Sequence, residues 1–297
     1  MPKVAIVTDS TADLAPELVE ARGITVVPLT VMLEGRSYLD GVDIQPDDFY
    51  RKLTASGQMA TTSQPSPGTF ANVYERLLTD HEEVVSLHIS SKLSGTFEAA
   101  TQGADMVARD RVRVLDTEMV SMPLALLVLA ASAMAARAEI AAAVVDGIRP
   151  IQESMRVYFM VATLEYLRRG GRIGRAGALV GSMLQVKPVL TIHAGEVAPL
   201  QRVRTQERAL SRVIELAGNG KTPICALVGH AAASDAADRI ARALEPHCES
   251  LIVAPLGPVV GAHAGPGTVG VGCYPAELFP LGLKRLSSLA ATQSRRV

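Results

Sequence analysis

Residues 84–115 read VVSLHISSKLSGTFEAATQGADMVARDRVRVL. The stretch opens on the apolar run Val84–Ile89 and continues through the polar loop Ser90–Ser94 into a helical pattern over Thr96–Val107. A second apolar run, Val112–Leu115, follows. A strand, a helix and a further strand in this order form a βαβ unit, in which the two strands lie parallel. The stretch therefore predicts an α/β fold with a parallel sheet.

The same alternation continues through the first half of the chain and predicts two lobes. Residues 1–155 are expected to form an N-terminal α/β lobe, in which Ile24–Leu33 is predicted as a single strand. In residues 156–281, two apolar runs flank Ala194-Gly195-Glu196, which is the pattern of a hairpin. The C-terminal lobe is therefore expected to hold a mixed sheet. Residues 282–297 are predicted to be a polar tail.

Composition argues against several classes of protein. The chain has 297 residues, with 29 Lys and Arg against 30 Asp and Glu, and this balance argues against nucleic-acid binding. Three cysteines without a C-x-x-C pair argue against a disulfide framework or a cysteine zinc site and favour the cytoplasm. Residues 119–136 carry no charge, but Pro123 at the start fits a buried core helix rather than a membrane span. No metal or cofactor is expected.

Three hydroxyl-rich segments are expected at the carboxyl ends of parallel strands. They are Thr8–Thr11, Thr61–Ser66 and Ser90–Thr96, all interpreted as loops. Ligands of α/β sheets bind beyond these strand ends, and free N–H groups at a helix start favour anions. Capping a helix takes one hydroxyl, and the third segment carries four. An anion site is therefore predicted, with simple capping as the alternative.

Two further motifs have both a structural and a functional interpretation. Arg168, Arg169, Arg172 and Arg175 lie within eight residues. They form either a solvated helix end or a site for phosphate, carboxylate or a partner. Residues 265–270 spell G-x-G-x-x-G, but a strand pattern follows and no acid lies about 20 residues further on, as a nucleotide site requires. A glycine turn that lets the backbone approach a ligand is expected instead.

Six blocks of sequence, in order, resemble the DegV family of fatty-acid-binding proteins. The blocks are Asp9–Leu14, Thr62–Ser66, Ser90–Thr96, Thr163–Ile173, Val186–Leu190 and Gly261–Gly267. The resemblance spans residues 3–280, and the six blocks together are far more specific than any one of them. It implies a two-lobe α/β fold with a fatty acid buried between the lobes.

The resemblance also implies which residues hold the fatty acid. Its carboxylate is expected to contact Thr62 and Ser94, with His263 close to the same head group. A protonated His263 would add a positive charge to the neutral hydroxyls. The immediate neighbours of these residues complete the predicted ligand-binding set: Ser63, Gly95 and Thr96.

The resemblance further implies the role of the protein. Characterised family members present a long-chain, palmitate-like fatty acid to a separate ATP-dependent kinase, which makes acyl phosphate for phospholipid synthesis. The chain has no ATP motif of its own, which agrees with a carrier that needs no cofactor. Arg172 and Arg169 are then the candidates for contacting the phosphate or the partner kinase.

Two other functions remain open for the same residues. Ser94 as nucleophile and His263 as base would make a serine esterase or thioesterase, although no third member is evident. A lipid-sensing regulator would need a DNA-binding partner, because the chain has no helix-turn-helix or basic face.

The chain also departs from the family pattern at Thr117–Leu129, which is bulkier and lacks glycine, and at Ala264, which replaces a hydroxyl. The first departure predicts a different acyl-chain preference if this helix lines the channel.

Overall fold

The computed structural model describes residues 3–137, 140–182, 187–220 and 222–278. These residues form three sheets with helices between and around them. The polar tail predicted for residues 282–297 lies outside the described residues, and the division into lobes at residue 155 stays a prediction.

The secondary structure follows the chain as thirteen strands and ten α-helices within the described residues. The strands are β1 (Val4–Asp9), β2 (Ile24–Val27), β3 (Thr30–Leu33), β4 (Arg36–Leu39), β5 (Thr61–Ser63), β6 (Glu83–His88), β7 (Val112–Asp116), β8 (Arg156–Met160), β9 (Lys187–His193), β10 (Glu196–Val203), β11 (Ile224–His230), β12 (Cys248–Pro255) and β13 (Val269–Pro275). The helices are α1 (Pro16–Ala21), α2 (Pro46–Ser56), α3 (Pro67–Leu77), α4 (Thr96–Val107), α5 (Met122–Ala135), α6 (Ala141–Glu153), α7 (Glu165–Arg169), α8 (Gln206–Gly218), α9 (Ser234–Leu244) and α10 (Pro258–Ala264).

The N-terminal sheet is parallel throughout, as the βαβ pattern predicts. Its strand order is β2-β1-β6-β7. Alternate residues of β1 serve different cores: Val4 and Ile6 pack in the cluster that contains α5, whereas Ala5 and Val7 pack in the cluster that contains α3 and α4 residues. This alternation is the two-residue period of a strand covered on both faces.

The C-terminal sheet is mixed, also as predicted. Its order is β10-β9-β8-β13-β11-β12, and every neighbouring pair is antiparallel except β11 with β12. Residues of α8 and α9 join its core on one face, and α5 packs against β11 and β13.

Helix α5 explains the charge-free stretch of the sequence. It packs against β1 and β6 of the first sheet and against β11 and β13 of the second, and all of its residues are buried. A helix covered on every side is apolar all round, so the predicted buried core helix is confirmed. Among the helices of the described residues, none combines the length and hydropathy that crossing a bilayer requires.

A third, antiparallel sheet with the order β4-β3-β5 corrects two sequence predictions. The single strand predicted for Ile24–Leu33 is wrong, because the chain leaves the first sheet after Val27 and enters the small sheet at Thr30. Pro28 lies between the two strands and has no N–H for a continuous ladder. The loop predicted for Thr61–Ser66 begins instead as strand β5, which pairs with β3.

Candidate functional site

A cavity lies where the loops of the first sheet, the start of α5, the second sheet and α10 meet. It contains about 800 Å³ of space free of protein atoms, including the part that opens to solvent. Most of the wall is apolar, formed by Leu29, Ile89, Leu93, Val120, Met122, Val157, Phe159, Leu167, Ile192, Val197, Leu256, Val259, Val260 and Ala264. The remaining wall residues are polar: Thr11, Thr62, Ser94, Ser121, Arg172, His263 and Thr268.

Thr62 reaches the cavity because of its register in the small sheet. It lies opposite Val31, which is fully buried, and directly opposed residues of paired strands point to the same face. Its neighbours Thr61 and Ser63 point to the other face and are exposed. Ser63, predicted as a ligand-binding residue, is therefore turned away from the cavity wall.

His263 lies in the last turn of α10, a helix that the sequence patterns did not indicate. Its Nε2 is 2.8 Å from the Thr62 hydroxyl, and its Nδ1 is buried without a hydrogen-bond partner. Burial, and secondarily the charge of Arg172, lowers the pKa of His263 to about 4. The imidazole of the ligand-free protein is therefore neutral at neutral pH, and the positive charge expected from His263 is absent.

Ser94 lines the cavity at the start of α4. Its hydroxyl is 2.8 Å from that of Thr96 and accepts the Thr96 N–H at 3.3 Å. Thr96 is itself fully buried and does not line the cavity. A Cβ added to Gly95 would lie 2.3 Å from Oε1 of Gln64, so glycine allows the strand of Thr62 to approach this loop. Gly95 and Thr96 thus support Ser94 rather than form the wall.

Arg172 also reaches the cavity, unlike the rest of the arginine cluster. Its Nε donates to the Leu93 carbonyl at 3.0 Å, and its Nη1 donates to the Gly170 carbonyl at 2.7 Å. These two bonds place the guanidinium beside Ser94 on one side and His263 on the other. A Cβ at Gly170 would lie 2.2 Å from Nδ1 of His263, so only glycine leaves room for the ring.

The other arginines of the cluster are paired with carboxylates at the surface. Arg168 and Arg169 both donate hydrogen bonds to Glu165. These bonds, with Arg168 contributing most, lower the pKa of the Glu165 carboxyl to about 2. Arg175 lies 3.7 Å from Glu196. Arg169 is exposed and does not line the cavity, so the structure separates it from Arg172.

Thr62, Ser94, Arg172 and His263, here called the polar cluster, thus line a cavity whose wall is mostly apolar. Two hydroxyls, a neutral imidazole and one guanidinium offer hydrogen-bond donors and a single positive charge. A buried carboxylate needs such partners, because leaving it unpaired is costly. The arrangement suits a ligand with an apolar body and one anionic head.

A second histidine network lies deeper in the protein and has the connectivity of a catalytic triad. His88 Nδ1 is 2.9 Å from Asp9 Oδ2, and its Nε2 is 2.7 Å from the Ser86 hydroxyl. Ser86 is also bonded to Tyr74 at 2.9 Å. Asp9, His88, Ser86 and Tyr74, here called the buried network, are fully inaccessible. Ser86 therefore has no path to a substrate.

The polar cluster does not have the connectivity that the hydrolase alternative requires. His263 Nε2 is bonded to Thr62, and the Ser94 hydroxyl is bonded to Thr96. A nucleophile and its base must be hydrogen-bonded to each other, with the base oriented by a third group. His263 Nδ1 has no such orienting partner. Over the described parts of the chain, no group of His, Cys, Asp and Glu is arranged to hold a metal ion.

Several wall residues were not predicted. Thr11 belongs to the first block that resembles the family, but only the fold shows that it lines the cavity. Its hydroxyl donates to Asp9. Val120 and Ser121 line the cavity and belong to Thr117–Leu129, the stretch that departs from the family pattern. Most of the helix that follows them packs in the core. The pair Gly170-Gly171 is visible in the sequence. The reason for a glycine at position 170 is its contact with His263, which only the tertiary structure shows. In the glycine turn at 265–270, Gly265 lies against the ring of Tyr166, and Thr268 lines the cavity.

Comparison with known proteins identifies the family. The family model described as "Uncharacterised protein, DegV family" matches residues 3–276. A DegV domain-containing protein of Streptomyces coelicolor is 42% identical over 274 residues, covering 90% of this chain and 97% of the relative. The protein DegV of Bacillus subtilis is 32% identical over 275 residues, covering 90% and 98%.

Solved structures agree over the same span. A DegV family protein of Thermus thermophilus, described by its fatty acid binding, superimposes with a TM-score of 0.87 at 36% identity, covering 92% of this chain and 99% of that one. The fatty acid binding protein DegV of Bacillus subtilis superimposes with a TM-score of 0.84 at 31% identity, covering 92% and 100%. With a family model and relatives that match nearly its whole length, the chain belongs to the DegV family.

Proposed function

We propose that the protein binds a long-chain fatty acid in this cavity, with the carboxylate at the polar cluster and the acyl chain along the apolar wall. The observation that carries the proposal is that Thr62, Ser94, Arg172 and His263 line one cavity whose wall is otherwise mostly aliphatic or aromatic. The fatty acid binding of the relatives from Thermus thermophilus and Bacillus subtilis supports it.

The hydrogen bonds of the polar cluster are compatible with this role. When the neutral His263 carries its proton on Nε2, it donates to Thr62, and the Thr62 hydroxyl proton is then available to the carboxylate. Ser94 lines the same cavity, and the Arg172 guanidinium supplies the charge that balances the head group. A carboxylate at this position would in turn raise the pKa of His263, because an opposite charge favours the protonated ring.

We further propose that the carrier presents this carboxylate to a separate ATP-dependent kinase, which forms acyl phosphate for phospholipid synthesis in the cytoplasm. The chain has no phosphate-binding motif for ATP, so the phosphoryl donor has to come with a partner. Arg172 then has a second role, since a guanidinium that balances a carboxylate also suits the phosphate formed from it. Arg169, already paired to Glu165 at the surface, is available only to the partner.

Native mass spectrometry of the purified protein tests the first part of the proposal. We expect a mass increment that corresponds to one long-chain fatty acid, removable by delipidation and restored by added palmitate. A delipidated protein that does not take up palmitate would contradict the proposal.

For the second part, acyl phosphate should form from palmitate and ATP only when the carrier and a fatty acid kinase are both present. Acyl phosphate formed by the carrier alone would make the protein an enzyme.

A further inference from the structure

The start of α10 is held by two carboxyl groups, those of the half-buried Asp13 and the buried Asp40. The N–H of Gly257, which precedes the helix, donates to Asp13 Oδ1 at 2.9 Å, and the N–H of Val259 bonds to Asp40. Each carboxyl therefore satisfies one of the N–H groups that a helix start leaves unpaired. The same helix carries His263 six residues further on, at about 1.5 Å per residue.

Asp13 connects three segments that line the cavity. It follows the short turn that contains Thr11, bonds the start of α10 through Gly257, and accepts a hydrogen bond from the Ser121 hydroxyl at 2.5 Å. Thr11 and Ser121 are both wall residues. A displacement of this carboxyl therefore acts on the wall at three places at once.

The two carboxyl groups converge on one point. A Cβ placed on Gly257 would lie 2.7 Å from Asp13 Oδ1 and 3.3 Å from Asp40 Oδ1. Asp40 has only 4% of its surface exposed, and its Oδ2 has no hydrogen-bond partner. An unpaired charged oxygen in such a place is costly, whereas a protonated oxygen removes the charge. The geometry thus favours a proton on the pair.

The charges around the pair act in the same direction. Burial raises the pKa of Asp13 well above its usual value, and the charges of Asp40 and Asp9 add to this. Burial raises the pKa of Asp40 to about 7, with Asp9 again contributing. From α2, Tyr50 faces both carboxyl groups, and its hydroxyl donates to the Leu256 carbonyl at 2.9 Å.

Several charged residues on the elements beside α10 are paired with one another. On α7, Glu165 is paired with Arg168 and Arg169. On α2, Asp48 is paired with Arg51. The charged groups that act on Asp13 and Asp40 are therefore acidic.

We propose that Asp13 and Asp40 are positioning residues that share at least one proton and thereby hold α10, with His263, in the place required for the fatty acid. The inference rests on the proposed function. A helix start favours one negative charge, but two or three like charges in low dielectric repel each other. Ionisation of both carboxyl groups pushes the start of α10 away, and the contact between His263 and Thr62 loosens.

Palmitate affinity across pH tests the inference, measured by calorimetry between about pH 6 and about pH 8.5, where palmitate itself stays ionised. For the wild type we expect affinity to fall by about fivefold as the pair ionises, the lower range of coupling between two sites. Asp40→Asn keeps the shape of a protonated carboxyl without its charge, so its affinity should stay level. Asp47→Asn, the same change at the exposed start of α2, should retain the wild-type slope. A level wild-type profile, or the wild-type slope in Asp40→Asn, would overturn the inference.

A ligand-independent measurement separates this inference from the proposed function. In the ligand-free protein, the ring resonances of His263 should shift with an apparent pKa near that of Asp40, about 7, and Asp40→Asn should abolish this step. If palmitate never binds but the step is present, the proposed function fails and the positioning role stands. If palmitate binds and the step is missing, only the positioning role fails. Should Asp40→Asn not fold, Gly257→Ala replaces it, since its Cβ displaces the Asp13 carboxyl and should reduce palmitate affinity.

Discussion

The polar cluster and the buried network contain the same kinds of group but differ in how completely they are bonded. In the buried network, the Asp9 carboxylate accepts bonds from His88, from the Ile89 N–H and from Thr11. The Ser86 hydroxyl is bonded to both the Tyr74 hydroxyl and His88 Nε2, so every group has a partner. In the polar cluster, His263 Nδ1 has none.

This difference separates a structural network from a binding site. A fully satisfied buried network makes the fold rigid, and removing one member leaves the others unpaired at high cost. A cluster that is only partly bonded and lines a cavity has a hydroxyl and a guanidinium available to a ligand. The triad-like connectivity therefore belongs to the core, and the less complete cluster is the one suited to binding.

The largest expected effect is on stability. We expect His88→Ala to lower the free energy of unfolding by about 3–5 kcal/mol, because it opens a cavity in the core and leaves Asp9 and Ser86 each short of one hydrogen-bond partner. His263→Ala should cost markedly less, since one of its nitrogens is already unpaired. Urea denaturation compares the two, with the exposed His247→Ala as control. Equal losses at both histidines would erase the distinction between the two regions.

The next effect concerns affinity rather than stability. Thr62→Ala and Ser94→Ala should each weaken palmitate binding by about 1–3 kcal/mol, since a bound carboxylate oxygen is left unpaired. Both variants should remain folded and lose less unfolding free energy than His88→Ala. Ser63→Ala, one residue away on the exposed face, is the matched control and should bind normally. Wild-type affinity in both cavity variants would remove these hydroxyls from the site.

The smallest expected effect distinguishes the two proposed roles of Arg172. Because its guanidinium is only half-buried, Arg172→Ala should weaken palmitate binding by less than about tenfold, or 1.4 kcal/mol. The loss should diminish at high salt, where the wild-type charge is screened. Arg169→Ala should bind palmitate normally. Unchanged binding with slower acyl phosphate formation would assign Arg172 to the partner or phosphate alone.

Part of the candidate site was accessible from the sequence. The Thr62 and Ser94 blocks stood out because they hold more hydroxyls than helix capping requires, and the resemblance added His263. Ser63 was predicted beside Thr62, yet the two-residue period of β5 turns it outward. A shift of one residue in the strand register decides which hydroxyl faces the cavity. The hydroxyl-rich pattern of the segment does not indicate that register.

By itself, the sequence determined the class of fold, the parallel and mixed sheets, the buried α5 and the family, because hydrophobic periodicity and short motifs are local properties. Only the tertiary structure decided that Arg172 turns inward while Arg169 pairs with Glu165. The same holds for the neutral state of His263 and for the convergence of Asp13 and Asp40 on Gly257. These outcomes depend on burial and on contacts between segments up to about 240 residues apart, and low dielectric acts only on groups that the fold has already enclosed.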